Sequence, residues 1–178
     1  MKHLTKSILR EIAGVENLIL PTDEQLNYPE KLLQFGTGVL LRGLPDQYIS
    51  EANRAGKFRG RVVVVKSTQN GTTDDFADQD GLYTICVKGI ENGQLVNKTY
   101  VNASISRVLS AVEDRTANLE YAKSEELTVV TSNTTEVGIV YTEENILDGV
   151  PSSFPGKLLA ILHTRFVHFN GDHSKGLV

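Results

Sequence analysis

The 178-residue chain has one cysteine, one methionine and no tryptophan. A single cysteine excludes an internal disulfide framework and a cysteine-based zinc site, and it suits a reducing compartment such as the cytoplasm. No apolar run approaches the roughly 20 residues of a membrane-spanning helix, and the longest β-branched run is only Val62–Val65. Arg10 and Glu11 interrupt the apolar stretch near the N-terminus, which argues against a secretory signal. Positive charge is also scarce: 18 Lys and Arg stand against 22 Asp and Glu, a net charge of -4. A nucleic-acid binder would show a basic stripe. The expected partners therefore include no nucleic acid and no membrane. Heptads are absent, as is any repeat of about 20 to 50 residues.

What is present is globular. Hydrophobic residues make up 40% of the chain, and a chain of this length can bury about 70% of its unfolded surface. Leu4, Ile8, Leu9, Ile12, Val15 and Ile19 recur at near-helical spacing, which predicts an amphipathic helix over residues 4–20. Leu32, Leu33 and Phe35 predict a strand running into Gly36-Thr37-Gly38. Leu40, Leu44, Tyr48, Ala52 and Ala55 mark one face of a following helix, with a kink or late start at Pro45 and an end near Gly56. Val62–Val65 reads as a strand buried on both faces. Tyr83–Lys88 and Leu95–Val101 flank Asn92-Gly93, the signature of a β-hairpin. A helix is expected over 107–122, a strand over Leu127–Val130 and a helix over 151–169. Strands alternating with helices predict an α/β fold: a mostly parallel sheet flanked by helices, with an inserted β-hairpin. Gly176-Leu177-Val178 begins something apolar at the last residues, which gives the expectation of a piece of a longer protein.

The sharpest local signal is LLQFGTGVLLRG, residues 32–43. A strand ends, two glycines follow one residue apart, and a helix begins. Gly36 permits the tight turn, Gly38 lets a pyrophosphate approach the backbone, and free N–H groups at the helix start bind its oxygens. The third glycine of GxGxxG is replaced by Leu41, so the motif alone is equally an ordinary strand–helix turn. Lys66 stands where an acidic residue usually holds the ribose, which leaves open a 2′-phosphate contact and NADP, or a solvated lysine at a strand end. Thr131–Glu136 closes the predicted fourth strand, where Asn133, Thr134, Thr135 and Glu136 face a ligand crevice or cap a helix with Glu136 in a capping box. Asp74, Asp75, Asp78 and Asp80 lack metal-loop spacing. His163, His168 and His173 do not share a helical face, so no metal is expected. Cys86 reads as a small buried hydrophobe. No GxSxG elbow supports a hydrolase.

Five segments together carry a more specific resemblance: YPEKLLQFGTGVLLRG (28–43), VVVVKST (62–68), QDGLYT (79–84), SNTTEVGI (132–139) and FPGKLLAILHTRFVHFNG (154–171). In this order they resemble the mannitol dehydrogenase family of long-chain polyol dehydrogenases, in its hexuronate-processing branch. The resemblance implies an N-terminal Rossmann-type domain over 28–178 behind an N-terminal helical extension over 1–27. It implies NAD as cofactor, a sugar acid as substrate, hydride transfer in hexuronate catabolism, and a cytoplasmic setting. The implied cofactor-binding residues are Leu32, Leu33, Gln34, Phe35, Gly36, Thr37, Gly38, Val39, Leu40, Leu41, Arg42 and Gly43, with Lys66 and Asn133–Glu136. Val39 departs from the family's usual Asn. A basic residue at the position of Lys66 is usual in this branch, so Lys66 no longer argues strongly for NADP. The family's catalytic Lys, with its Asn and His partners, belongs to a C-terminal domain that this sequence does not contain. The chain is therefore expected to be inactive alone and to expose apolar surface that favours self-association. A mannonate or polyol dehydrogenase domain, or a stand-alone nucleotide-sensing domain, are the alternatives.

Overall fold

The computed structural model describes residues 3–67 and 73–178, without the side chain of Asp74; Thr68 therefore lies outside the described residues. A 3-10 turn at Lys6–Ile8 is followed by β1 (Leu18–Ile19), α1 (Asp23–Leu26), β2 (Glu30–Phe35), α2 (Val39–Gly43), α3 (Pro45–Arg54) and β3 (Arg61–Lys66). Then come α4 (Asp74–Ala77), the hairpin β4 (Tyr83–Glu91) and β5 (Gln94–Asn102), and β6 (Ile105–Ser110). α5 (Arg115–Ala122), β7 (Val129–Ser132) and α6 (Phe154–His168) complete the fold.

Four strands form one parallel sheet in the order β6-β3-β2-β7. The expected α/β architecture is thus present. Val62, Val63 and Val64 are fully buried and Val65 is 2% exposed, so β3 is covered on both faces. Alternation then sorts the strands. Leu33, Phe35, Val63 and Val65 pack with Tyr121, Ala122 and Ile161 under α5 and α6. Leu32, Val62, Val64 and Ile105 face the other way, towards Ile49 of α3 and towards Phe58, Phe76 and Tyr83. Removing one such side chain from water contributes about 1.5–3 kcal/mol. Two buried arginines tie off chain ends. Arg61 donates to the carbonyls of Leu26, Ala103 and Ile105. Arg165 donates to those of Ala122, Ser124, Leu127 and Lys175.

Three local expectations are corrected. The predicted helix over 4–20 is a 3-10 turn, further turns and β1, because Gly14 (φ 91°) and Asn17 (φ 59°) take left-handed conformations that end helical winding. Its apolar residues still find a core, since Leu4, Leu9, Ile12, Leu18 and Leu20 pack with Leu82, Val101 and Ala103 at the root of the hairpin. The predicted helix over 107–122 starts at Arg115, because Ile105–Ser110 pairs with β3. Pairing with a buried strand outweighs the helical spacing there. Cys86 is exposed: it lies on β4, the edge strand of a second, three-stranded sheet in the order β1-β5-β4, opposite Thr99. The hairpin turn itself is as read: Asn92 (φ 51°) and Gly93 (φ 79°) both take the left-handed values of a type I′ turn.

Candidate functional site

The sheet order makes the site. β2 is flanked by β3 on one side and by β7 on the other, so the chain's winding reverses between β2 and β7. In parallel sheets, a ligand crevice opens outside the carboxyl ends of the strands at such a reversal. Phe35 is in register with Val65 and with Ser132. Residues 36–38, Lys66 and residues 133–136 therefore leave the sheet side by side at one edge.

Gly36 holds φ 112°, a value that L side chains rarely adopt, and its N–H donates to the Val65 carbonyl at 2.9 Å. A Cβ there would also lie 3.3 Å from Leu41 Cδ1. Gly36 is thus required by the turn itself. Gly38 differs. It is the N-cap of α2, with φ -64° and ψ 155°, ordinary extended values for any residue. A Cβ on it would meet nothing within 4 Å. The fold does not ask for glycine at 38; the space in which a side chain would stand is open.

No side-chain hydrogen bond caps α2 at Gly38, and the first amides of a helix have no partner within it. Helical bonding begins with Arg42 N–H to the Gly38 carbonyl at 3.2 Å. It continues through Leu44, whose N–H reaches the Leu40 carbonyl and whose carbonyl accepts from Tyr48. Pro45 begins α3 at its first turn, where its missing N–H costs nothing. The helical dipole and the unpaired amides both favour an anion in front of Gly38.

The other expected site residues divide by burial. Leu32, Leu33, Gln34, Phe35 and Leu41 are all buried, so their side chains hold the turn from beneath. Thr37 is half-buried; Gly38, Val39, Leu40 and Gly43 are exposed. Arg42 turns inward over the rings of Phe76 (5.5 Å) and Tyr83 (5.9 Å), and its carbonyl accepts from the Tyr83 hydroxyl. Lys66 is half-buried at the tip of β3, while Asn133, Thr135 and Glu136 are exposed and Thr134 is half-buried. Thr135 begins a 3-10 turn at Glu136–Gly138 without any side-chain cap, so the capping box expected there is absent. Among the described residues no group of His, Cys, Asp and Glu is arranged to hold a metal ion.

Sequence reasoning missed the polar layer beneath the turn. Asp46 is fully buried in the first turn of α3, where an acidic residue ordinarily reads as a surface complement to the helix dipole. Burial pushes its carboxyl up to about 7, opposed in part by the Gln34 amide and the Arg42 charge. Burial and the Asp46 charge also raise the Tyr83 phenol. The only sequence sign was position: Asp46 lies on the same helical face as the buried Ser50 and Asn53.

No protein-family model matches the chain. Among curated proteins, the altronate oxidoreductase of Bacillus subtilis (strain 168) is 43% identical over 157 residues, 88% of this chain and 33% of that protein. The altronate oxidoreductase of Halalkalibacterium halodurans is 41% identical over 164 residues, 91% of this chain and 32% of that protein. That of Phocaeicola vulgatus is 40% identical over 84% of this chain and 32% of its own length. The chain spans about a third of the length of the curated relatives it matches. Among solved structures, Pseudomonas fluorescens mannitol 2-dehydrogenase, in a ternary complex with NAD and D-mannitol, superposes with a TM-score of 0.76. Its sequence identity is 21%, over 93% of this chain and 36% of that one. A D-sorbitol dehydrogenase in substrate-free form gives a TM-score of 0.72 at 19% identity, covering 92% and 36%. These two share the fold.

Proposed function

Because this chain is a homologue of the altronate oxidoreductases over most of its length, we propose that it is the cofactor-binding domain of an NAD-dependent tagaturonate reductase, which interconverts D-altronate and D-tagaturonate. The observation that carries the cofactor part of this reading is Gly38: a glycine in ordinary backbone conformation, facing open space, at an uncapped helix start. A pyrophosphate suits that opening, because the absence of a Cβ lets its oxygens approach the amides of residues 38–41. The identities favour altronate over a polyol substrate, since the altronate oxidoreductases stand at 37–43% and the two polyol dehydrogenase structures at 19–21%.

The residues divide the work as follows. Leu32–Phe35 and Leu41 fix the backbone from the core, Gly36 and Thr37 make the turn, and residues 38–41 present amides to the phosphates. Arg42 braces the helix start against Phe76 and Tyr83, and Gly43 leaves the surface beside it open. Lys66 lies where the adenosine ribose would rest, and Asn133–Glu136 line the far wall towards the nicotinamide. NAD, when bound, exchanges the hydride with the sugar acid. The groups that move the substrate proton are proposed to lie outside this chain, which therefore binds cofactor without turnover. In this reading residues 1–27 form an extension, residues 28–178 form the domain, and the whole acts in the cytoplasm; among the described residues no helix is long and apolar enough to cross a membrane. The apolar side chains of Val39, Leu40, Val137 and Ile139, each more than half exposed around the crevice, favour self-association of the isolated chain. Sedimentation at high concentration tests this, and a clean monomer contradicts it.

Calorimetric titration with NAD and with NADP tests the cofactor reading. NAD is expected to bind more tightly. Much tighter NADP binding would return Lys66 to a 2′-phosphate role and overturn NAD as the cofactor.

A further inference from the structure

The glycine turn rests on a buried amide–carboxyl pair. Gln34 and Asp46 both have no exposed surface. Gln34 Nε2 donates to Asp46 Oδ2 at 3.3 Å and to the Gly36 carbonyl at 3.3 Å, which uses both amide hydrogens. Two atoms of the same pair, Gln34 Oε1 and Asp46 Oδ1, are buried without a hydrogen-bond partner. Both are acceptors when the carboxyl is ionised. An amide and a carboxylic acid meeting edge to edge make two hydrogen bonds, one from the amide nitrogen and one from the acid hydroxyl. Here the first is present, and protonation of Asp46 would supply a donor for the second.

The surroundings supply no hydrogen bond to either of these oxygens. Arg42 is the charged group facing Asp46, and it lies over Phe76 and Tyr83 with its buried Nε unpartnered. The Tyr83 hydroxyl, from β4, is committed to the Arg42 carbonyl. Asn102, at the end of β5, donates to the Asp46 carbonyl and to Gln47 Oε1, not to the Asp46 carboxyl. Desolvation favours the neutral acid.

We propose that Asp46 is a positioning residue for the Gly36–Gly38 turn, acting as a neutral carboxylic acid that donates its Oδ1 proton to Gln34 Oε1 and so locks the amide holding the Gly36 carbonyl. This rests on reading that turn as the dinucleotide site. Ionisation of Asp46 breaks the second hydrogen bond and puts a negative charge beneath the pyrophosphate, so cofactor binding weakens as pH rises through neutrality. Asp46→Asn keeps both hydrogen bonds at every pH, because its amide donates where the acid hydroxyl did.

Two measurements on the full chain test this. The first is a carbon-13 NMR titration of the Asp46 carboxyl without cofactor, assigned through its own backbone and independent of any variant. A midpoint near 7 is expected; a midpoint below about 5 overturns the proposal. The second is the NAD affinity at pH 6 and pH 8. The natural chain is expected to bind about tenfold more weakly at pH 8, and Asp46→Asn to change less than about twofold. Equal pH dependence in both chains overturns the proposal. If NAD binds neither chain at either pH, the cofactor reading fails, and the carboxyl titration alone decides the state of Asp46.

Discussion

Gly38→Val separates the demands of the fold from those of the site. The residue already sits at φ -64° and ψ 155°, which valine adopts readily, and its Cβ would meet nothing within 4 Å. No contact in the folded chain resists the substitution, and valine is only a poorer N-cap than glycine, so the stability change should stay within about 1 kcal/mol. Loss of glycine's freedom in the unfolded chain pushes towards stabilisation. The three added carbons nevertheless stand in front of the helix amides. NAD affinity should fall at least about tenfold, equivalent to 1.4 kcal/mol. Gly36→Val, two residues away, is the control with the opposite origin. At φ 112°, and with Leu41 Cδ1 3.3 Å from its Cβ, it should lose about 1–3 kcal/mol of stability through strain. Urea denaturation and calorimetric titration on the same samples read both quantities. Gly38→Val unfolding as easily as Gly36→Val, or binding NAD like the natural chain, refutes the reasoning.

Other outcomes follow from the packing. Leu33→Ala, fully buried under α5 and α6, should lose about 2–5 kcal/mol in urea denaturation; a loss under 1 kcal/mol would contradict the core assignment. Arg165→Ala strips the donors from four carbonyls at the joins of α5, β7 and α6 and should cost about 3–5 kcal/mol. The Glu144 carboxylate accepts hydrogen bonds from Ser152 and Ser153, which hold it down to about 2. A carboxyl lowered on folding contributes stability above its ordinary value and loses it as pH falls through the folded value. The Tm advantage of the natural chain over Glu144→Gln should therefore shrink between pH 5 and pH 2. An advantage that is constant over that range would refute the assignment.

The parallel sheet was legible because Val62–Val65 and Leu32–Phe35 are runs that only a two-sided burial explains, and the hairpin because Asn92-Gly93 has few other uses. Residues 4–20 misled because apolar spacing records which residues seek a core, while Gly14 and Asn17 decide how the backbone gets there. At Ile105–Ser110 the local pattern suits a helix, and only the neighbouring β3, distant in sequence, makes it a strand. The glycine turn was readable as a motif, yet the different grounds for its two glycines needed backbone angles and the space around each. Asp46 was invisible for a further reason: its burial depends on Gln34, Arg42, Tyr83 and Asn102 converging from four separate segments.

The most direct test of the central claim is amide chemical-shift mapping of the chain titrated with NAD. Perturbations are expected at residues 36–42, with Lys66 on one side of them and residues 133–136 on the other. Perturbations centred instead on the hollow that Phe166 and Phe169 line with His173 and Leu177, or none at concentrations where calorimetry detects binding, would contradict a dinucleotide site at the glycine turn.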